Sequence, residues 1–388
     1  MIDSIILAPY YWTLKLRHHM YNNGQKKSVK AEVPTICVGN VTVGGTGKTP
    51  HSEMIIRTLQ GMPEIKGKNI ALLSRGYKRK SRGFQQVVSG DDFKLAGDEP
   101  LQIKNKFPEI TVAVDNSRVE GCNFLCHPEK VQSEKKARKC IYKDFKPADI
   151  IILDDAFQHR ALRPDLSIVL IDYSRPVYKD HLMPLGHLRD LPERVSAADI
   201  VIISKCPAYL ENSEKCKWAE SIHLKDYDTE SCSGTTTGGR KQHLFFSTIT
   251  YDSPVSIFPE GDQRYAYSGK AIVFSGIAND TPLVRHLSDT YKIINHLTFG
   301  DHHAFSNADI AKINSASKAM PTAIVATTEK DSQRLKGNKN IPESLKTKLF
   351  QVPVKAVFLS ENEKSIFENL LSSLLREYRF AHVRKPHE

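Results

Sequence analysis

The chain has 388 residues, enough for two domains with sizeable cores, and its 40% hydrophobic composition is that of a soluble α/β protein. Lysine and arginine number 55 against 44 acidic residues, a net charge of +11, which points to an anionic partner such as nucleic acid, a phosphorylated substrate or an acidic membrane surface. The seven cysteines are scattered, and Cys122 and Cys126 have no second pair at zinc spacing, so they read as reduced thiols in the cytosol.

The chain opens on an apolar, aromatic stretch of Ile2, Ile5, Ile6, Leu7, Tyr10, Tyr11, Trp12, Leu14 and Leu16. Lys15, Arg17, His18, His19, Lys26, Lys27 and Lys30 are interleaved with it or follow it. The run is too short to span a bilayer, which takes about 20 mostly apolar residues, and it carries Pro9. A cleaved signal is not expected, because no basic segment precedes it and no small-residue cleavage site follows. Either it packs on the core or it lies in a membrane interface, and Trp12 with the two tyrosines favours the second.

An apolar run, Thr35-Ile36-Cys37-Val38, leads into Thr42-Val43-Gly44-Gly45-Thr46-Gly47-Lys48-Thr49, the spacing of a phosphate-binding loop between strand and helix. Glycines let backbone N–H groups close around phosphate oxygens, and the following helix, with Pro50 in its first turn, points its positive end at them. Lys48 would reach the β and γ oxygens of ATP or GTP, and Thr49 would ligate Mg²⁺. Thr42 stands where the usual pattern opens with glycine, and a plain glycine-rich turn is the alternative.

Further short apolar runs at Asn69 to Leu73, Thr111 to Val114, Ile150 to Leu153, Ser167 to Ile171 and Ile200 to Ile203 alternate with helical patterns. They predict a doubly wound parallel sheet with ligands beyond the carboxyl ends of its strands. Candidate chemistry falls at those ends. Ser74 to Arg82 carries five positive charges including Arg75, and is either a phosphate site or a solvated face. Gly97-Asp98-Glu99-Pro100 is either a turn with an N-cap or the home of a general base. Asp149 to Asp155 is an apolar strand closing on paired carboxylates, and Asp154 and Asp155 are Mg²⁺ candidates. Leu185 to Asp190 adds Arg189 as another phosphate candidate.

From Lys205 to about His243 the composition turns polar and reads as an exposed loop that starts a second domain. Strands at Phe245 to Ile249, Ala271 to Phe274, Tyr291 to Leu297, Ala323 to Ala326 and Val354 to Leu359 build a smaller α/β domain. Within it, Asp301-His302-His303 suits a histidine that pairs with the base across a cleft better than a zinc site, with solvated loop histidines as the alternative. Glu361 to Tyr378 has the spacing of a closing amphipathic helix. The expected organisation is therefore an amphipathic helix over 1–30, a nucleotide-binding core over 31–205, a smaller domain over 206–360 with a polar loop near 225–243, and a helix over 361–388.

Six ordered motifs resemble the tetraacyldisaccharide 4′-kinases of lipid A biosynthesis. They are Val38-Gly39-Asn40 running into Thr42 to Thr49, Ser74-Arg75-Gly76-Tyr77, Gly97 to Pro100, Asp154-Asp155-Ala156-Phe157-Gln158-His159, Pro184 to Asp190, and Asp301-His302-His303. The resemblance covers nearly the whole chain. It departs at Asp190, where glutamate is common, and at Lys78, where glycine is. It implies a P-loop NTPase-like core with a smaller domain, and transfer of the γ-phosphoryl of ATP to the 4′-hydroxyl of a tetraacyldisaccharide 1-phosphate, giving lipid IVA. The setting it implies is peripheral, on the anionic cytoplasmic face of the inner membrane of a Gram-negative bacterium, with neither nucleic acid nor an obligate protein partner. By motif, Thr42 to Thr49 hold the nucleotide and Thr49, Asp154 and Asp155 organise Mg²⁺. Asp98 is the base, His302 its partner and Lys48 the phosphate lysine. Arg75, Glu99, Arg118, Gln158, His159, Arg189, Asp190 and Asp301 are substrate or supporting candidates. The rival is a membrane- or nucleic-acid-binding nucleotide switch, but such proteins carry a lysine in the loop where this chain has Val43. A nucleic-acid binder rests on charge alone.

Overall fold

The computed structural model describes the backbone of residues 2–383 and the side chains of residues 7–378. The side chains of Ile2, Ile5 and Ile6 and the last residues of the 361–388 segment lie outside it. In the larger sheet, the described strands are β1 (Thr35–Gly39), β2 (Ile70–Ser74), β3 (Gln85–Val87), β4 (Thr111–Val114), β5 (Ile150–Asp154), β6 (Leu166–Asp172), β7 (Ile200–Ser204), β8 (Lys225–Asp228), β9 (Ser233–Thr235) and β10 (Lys241–Tyr251). Then come β11 (Val255–Ser256), β12 (Lys270–Ser275), β13 (Lys292–Thr298), β14 (Ile324–Thr328), β15 (Leu349–Val352) and β16 (Val354–Phe358).

The larger sheet runs β3-β4-β2-β5-β1-β6-β7-β10-β9-β8, with β16 paired to β10. From β4 to β10 the pairings are parallel, while β3, β9, β8 and β16 are antiparallel additions. Strands at the centre are apolar throughout because both faces are covered. In β1, Ile36 and Val38 join the core under the helices Lys48–Gly61 and Asp98–Lys106, while Cys37 joins the opposite core with Leu14 of the helix Ile2–Asn22 and Phe124 of the helix Arg118–Cys126. This is the P-loop NTPase-like, doubly wound architecture. A second sheet, β11-β15-β14-β12-β13, forms the smaller α/β unit, with its own cores on its two faces.

Two expectations need correction. Phe245 to Ile249 and Val354 to Leu359 do not belong to the smaller sheet. β10 continues the larger sheet beside β7, the chain leaves to build the second sheet, and β16 returns antiparallel to β10 with Ser247 opposite Phe358. The return is secured by Phe245, Phe358 and Phe367 of the helix Glu361–Val383, whose rings lie 5.0 to 5.9 Å apart. Chain order concealed this, because an insertion between neighbouring strands leaves no mark in either strand's composition. The polar stretch before β10 is likewise no open loop: it holds the helix Asn212–Ser221 and the edge strands β8 and β9. An edge hairpin with few neighbours keeps polar side chains, so the stretch lacked the apolar signal of a strand.

The N-terminal helix, Ile2–Asn22, packs on the core along one face and leaves large side chains exposed on the other. Leu7, Tyr10, Tyr11 and Leu14 pack on the larger core, while Trp12 and Leu16 are 62% and 60% exposed. Among the described residues no helix is long and apolar enough to cross a membrane.

Candidate active site

β1 ends in Gly39, and the chain turns through residues 40–47 before the helix Lys48–Gly61 begins. Gly44 and Gly47 adopt φ of 87° and 82°, the left-handed region where a side chain would be strained. Asn40 Nδ2 donates to Thr46 Oγ1 at 2.8 Å and Ser204 Oγ donates to the Thr46 carbonyl at 2.8 Å. Val43 N–H donates to the His187 carbonyl at 2.7 Å, which ties the loop to the segment carrying Arg189. No side chain caps the helix, so its first N–H groups and its positive dipole end face the loop. Beneath it, His51 bonds the Gly47 carbonyl through Nδ1 at 2.7 Å and Ser247 Oγ through Nε2 at 2.8 Å. Burial pushes its imidazole down to about 4, so it stands neutral as a strut.

β5 delivers Asp154 and Asp155 beside this loop. Asp155 has φ of 50°, an uncommon left-handed conformation for a residue with a Cβ. Its carboxylate meets Lys48 Nζ at 3.6 Å and both terminal nitrogens of Arg189. Burial alone would raise this carboxyl, but the Arg189 hydrogen bond and the Lys48 charge outweigh it and hold it well below the usual range. Asp154 is the opposite case. It receives hydroxyls from Ser52 (3.3 Å) and Ser74 (3.1 Å), and burial, with the charges of Glu99 and Asp155, pushes it up to about 6. Arg118, fully buried, donates to the carbonyls of Asp115 (2.7 Å) and Asp154 (3.1 Å) and so fixes the strand end rather than a carboxylate.

Thr49 lies one helical turn before Ser52 and therefore on the Asp154 side of the same helix. A hydroxyl and one or two carboxylates beside bound phosphates is the donor set of Mg²⁺, which keeps several waters and seldom takes an all-protein cage. A carboxyl raised by burial and by neighbouring acids is one whose ionised form a cation would favour. The described residues contain no cluster of three or more Asp, Glu, His or Cys arranged for a metal.

The smaller unit contributes the remaining side. The loop after β13 carries His302, in the left-handed region at φ 58°, with its N–H on the Gly276 carbonyl at 3.0 Å. His302 Nδ1 sits 3.2 Å from Asp98 Oδ2, although 204 residues separate them. His303 instead bonds Asp309 at 2.9 Å and stacks on Phe299, so the neighbouring histidines divide into one that faces Asp98 and one that braces its own domain. Asp98, at the first turn of the helix Asp98–Lys106, also receives Arg334, and Glu99 receives Lys330. Burial opposes ionisation of Asp98, but the His302 hydrogen bond and the Arg334 charge keep it far below the ordinary carboxylate value. Glu99 is held down chiefly by the Lys330 charge.

The other predicted residues are distributed unevenly. Gln158 Nε2 donates to the Asn40 carbonyl, and so supports the loop's entry. His159 is half-buried at the same turn. Arg75 is exposed at the end of β2, and Asp301 is exposed with a carboxylate oxygen 3.9 Å from His302 Nε2. Asp190 faces away from the loop: it is fully buried and pairs with His18 of the N-terminal helix at 2.6 Å. Sequence reasoning missed Lys330, Asp331 and Arg334. All three stand on the helix Glu329–Lys336 directly after β14, so the rule that function gathers at the ends of parallel strands, applied to the second sheet, would have marked them.

The sequence model of the family described as Tetraacyldisaccharide-1-P 4'-kinase matches residues 4–375. Among relatives bearing the name Tetraacyldisaccharide 4'-kinase, the protein of Phocaeicola vulgatus is 34% identical over 368 residues, covering 93% of this chain and 91% of that protein. That of Parabacteroides distasonis is 35% identical over 369 residues, with the same coverage of 93% and 91%. A crystal structure of the "apo" form of LpxK from Aquifex aeolicus in complex with ATP superposes with a TM-score of 0.65 at 24% identity, covering 97% of this chain and 100% of that one. At that identity the superposition speaks to the fold.

Proposed function

The chain belongs to the tetraacyldisaccharide-1-P 4'-kinase family, and from that premise we propose how its own residues carry the reaction. The enzyme is an ATP-dependent kinase of lipid A biosynthesis that phosphorylates the 4′-hydroxyl of tetraacyldisaccharide 1-phosphate to form lipid IVA. In our reading the loop from Thr42 to Thr49 holds the triphosphate, with Lys48 on the β and γ oxygens. Thr49, Asp154 and Asp155 would hold Mg²⁺, which when bound neutralises phosphate charge. The acceptor oxygen attacks the γ phosphorus as the bond to the β-phosphate oxygen breaks and ADP leaves, while the hydroxyl proton passes to Asp98. Phosphoryl transfer asks mainly for positioning and charge neutralisation, and an ionised aspartate within reach of the hydroxyl meets the first need.

The observation that carries this reading is the Asp98–His302 contact at 3.2 Å, made between the two sheets and one residue from Glu99, whose charge is felt by both Lys48 and Asp154. We take the larger unit to be residues 31–252 with the returning β16 and closing helix, and the smaller to be residues 253–353, with the acceptor entering between them. The exposed Trp12 and Leu16, with Lys15 beside the Tyr11 and Trp12 rings, support peripheral seating on an anionic membrane surface, the cytoplasmic face of the inner membrane. The deciding assay is transfer of label from γ-labelled ATP to the lipid disaccharide in detergent micelles with Mg²⁺. Labelled lipid from wild type but not from Asp98→Ala supports the assignment; ATP hydrolysis without labelled lipid would mean a different acceptor.

A further inference from the structure

We propose that Arg334 is a positioning residue for Asp98, holding that carboxylate ionised and aimed from the smaller domain so that the acceptor half of the site exists only when the two sheets are docked. This rests on Asp98 being the group that receives the acceptor hydroxyl.

The Arg334 side chain is 2% exposed, and its guanidinium is fixed before it reaches Asp98. Nη1 donates to Asp331 Oδ1 at 2.7 Å and to the Gly276 carbonyl at 2.9 Å, while Nη2 donates to Asp98 Oδ2 and lies 3.3 Å from His302 Nδ1. Asp331 is itself clamped, its Oδ2 receiving the Gly276 N–H at 3.0 Å and the Thr328 hydroxyl at 2.7 Å. Gly276 thus ties the arginine, its counter-ion and the N–H of His302 to one residue just after β12, Asp331 through its N–H and the other two through its carbonyl. On the other domain, Asp98 Oδ1 receives the N–H of Glu99 at 3.0 Å. Both carboxylate oxygens are therefore placed, one by its own helix and the other by Arg334 and His302. A planar fork can serve Asp331, Gly276 and Asp98 at once, which an ammonium on a flexible stem does less well.

The charges around Asp98 give the second half of the argument. Glu99 stands beside it on its own helix, His302 faces it from the β13 loop with Asp301 at the Nε2 side of the same imidazole, and Lys330, Asp331 and Arg334 face it from the helix after β14. Tyr77 closes the His302 side with its ring 5.6 Å from the imidazole. Lys330 pairs with Glu99, and its charge lowers Asp98 less than that of Arg334 does. Without Arg334, Asp98 and Asp331 would be two buried carboxylates with no cation between them, and the Asp98 carboxyl would rise. An acid that must be ionised to receive a proton would then be lost on acidification at a higher pH.

The test compares Arg334→Gln, Arg334→Lys and Asp98→Ala in the micelle assay, with melting curves to confirm folding. Arg334→Gln should lower kcat by about 10- to 100-fold, leave the KM for the lipid within about twofold, and move the acid limb of kcat/KM to higher pH. Arg334→Lys keeps the buried charge and so guards against failure to fold. Its kcat should fall only about three- to tenfold, with the acid limb where the wild type has it. Wild-type kcat in either variant, or a loss in Arg334→Gln with the limb unmoved, would overturn the proposal and leave a structural clamp. Asp98→Ala separates the two claims: turnover retained there defeats the base assignment itself, whereas an inactive Asp98→Ala beside an unaffected Arg334→Gln defeats only the role of Arg334.

Discussion

The two sides of the proposed site, one assigned to the phosphates and one to the acceptor, are built on different principles. The phosphate side is local: β1, the loop and the Lys48 helix are consecutive, and the partners Asp155 and Arg189 arrive from strands and loops of the same sheet. The acceptor side is composite, since Asp98 comes from the larger unit while His302, Lys330 and Arg334 come from the smaller. A composite site depends on docking, and the helix pair that performs it is held by buried charge: Lys106 bridges Glu53 and Glu329 at 2.7 Å each, and Asn105 donates to Gln333 at 2.6 Å. Nucleotide binding should therefore outlast damage to the smaller unit, and lipid phosphorylation should not.

The sharpest way to break that contrast is to remove one residue from each side. Asp98→Ala should reduce lipid phosphorylation by about 100- to 10,000-fold while leaving ATP binding, read by fluorescent nucleotide displacement, near that of wild type. Lys48→Ala should reduce turnover by about 100- to 1,000-fold and weaken nucleotide binding as well. If Asp98→Ala lost nucleotide affinity to the same degree, the two sides could not be treated as separable. His302→Ala against His303→Ala divides the acceptor side more finely. The first should cost about tenfold or more in kcat, and the second should cost stability instead, because His303 is engaged with Asp309.

The same contrast explains what could be read from the chain. The phosphate loop was legible because strand, glycines, lysine and helix follow one another, and the carboxylate pair because an apolar β-branched run ends in it. Asp98 and His302 were visible as motifs, and their pairing was expected from the resemblance, but which of the two neighbouring histidines makes the 3.2 Å contact was not legible, since nothing local encodes a contact across 204 residues. Arg334 stayed hidden for a different reason: inside Glu329-Lys330-Asp331-Ser332-Gln333-Arg334 it looks like one charge on a solvated helix, yet every one of those residues except Lys330 is buried. Asp190 misled in the other direction. It sits in the same motif as Arg189, but successive residues point to opposite sides, and only Arg189 reaches the carboxylate pair.

Asp190 supplies the next prediction. It is fully buried, and its contact is His18 at 2.6 Å, with Arg160 Nη1 donating to the His18 carbonyl at 3.1 Å. Removing the partner of a buried hydrogen-bonding imidazole costs about 1 to 3 kcal/mol, so Asp190→Ala should lower the denaturation midpoint. At temperatures where the variant stays folded, turnover should remain within several-fold of wild type, a far smaller loss than in Asp98→Ala. A drop as large as that of Asp98→Ala with an unchanged midpoint would return Asp190 to the reacting centre.

The smallest effect should come from the outer face of the N-terminal helix. Its inner face is committed to the core through Leu14 and through Tyr10, whose hydroxyl donates to the Arg189 carbonyl at 2.9 Å, so Trp12 and Leu16 can change without touching the site. Trp12→Ser with Leu16→Ser should leave the melting curve and the micelle assay close to wild type, because detergent presents the lipid without need of a bilayer. Binding to vesicles containing anionic lipid should weaken by about tenfold or more, since burying either side chain contributes on the order of 1 to 3 kcal/mol. Unchanged vesicle binding would mean that the basic surface alone seats the protein. A loss of micelle activity would mean that the outer face is coupled to Arg189 through Tyr10, and that the phosphate side is less local than its sequence suggests.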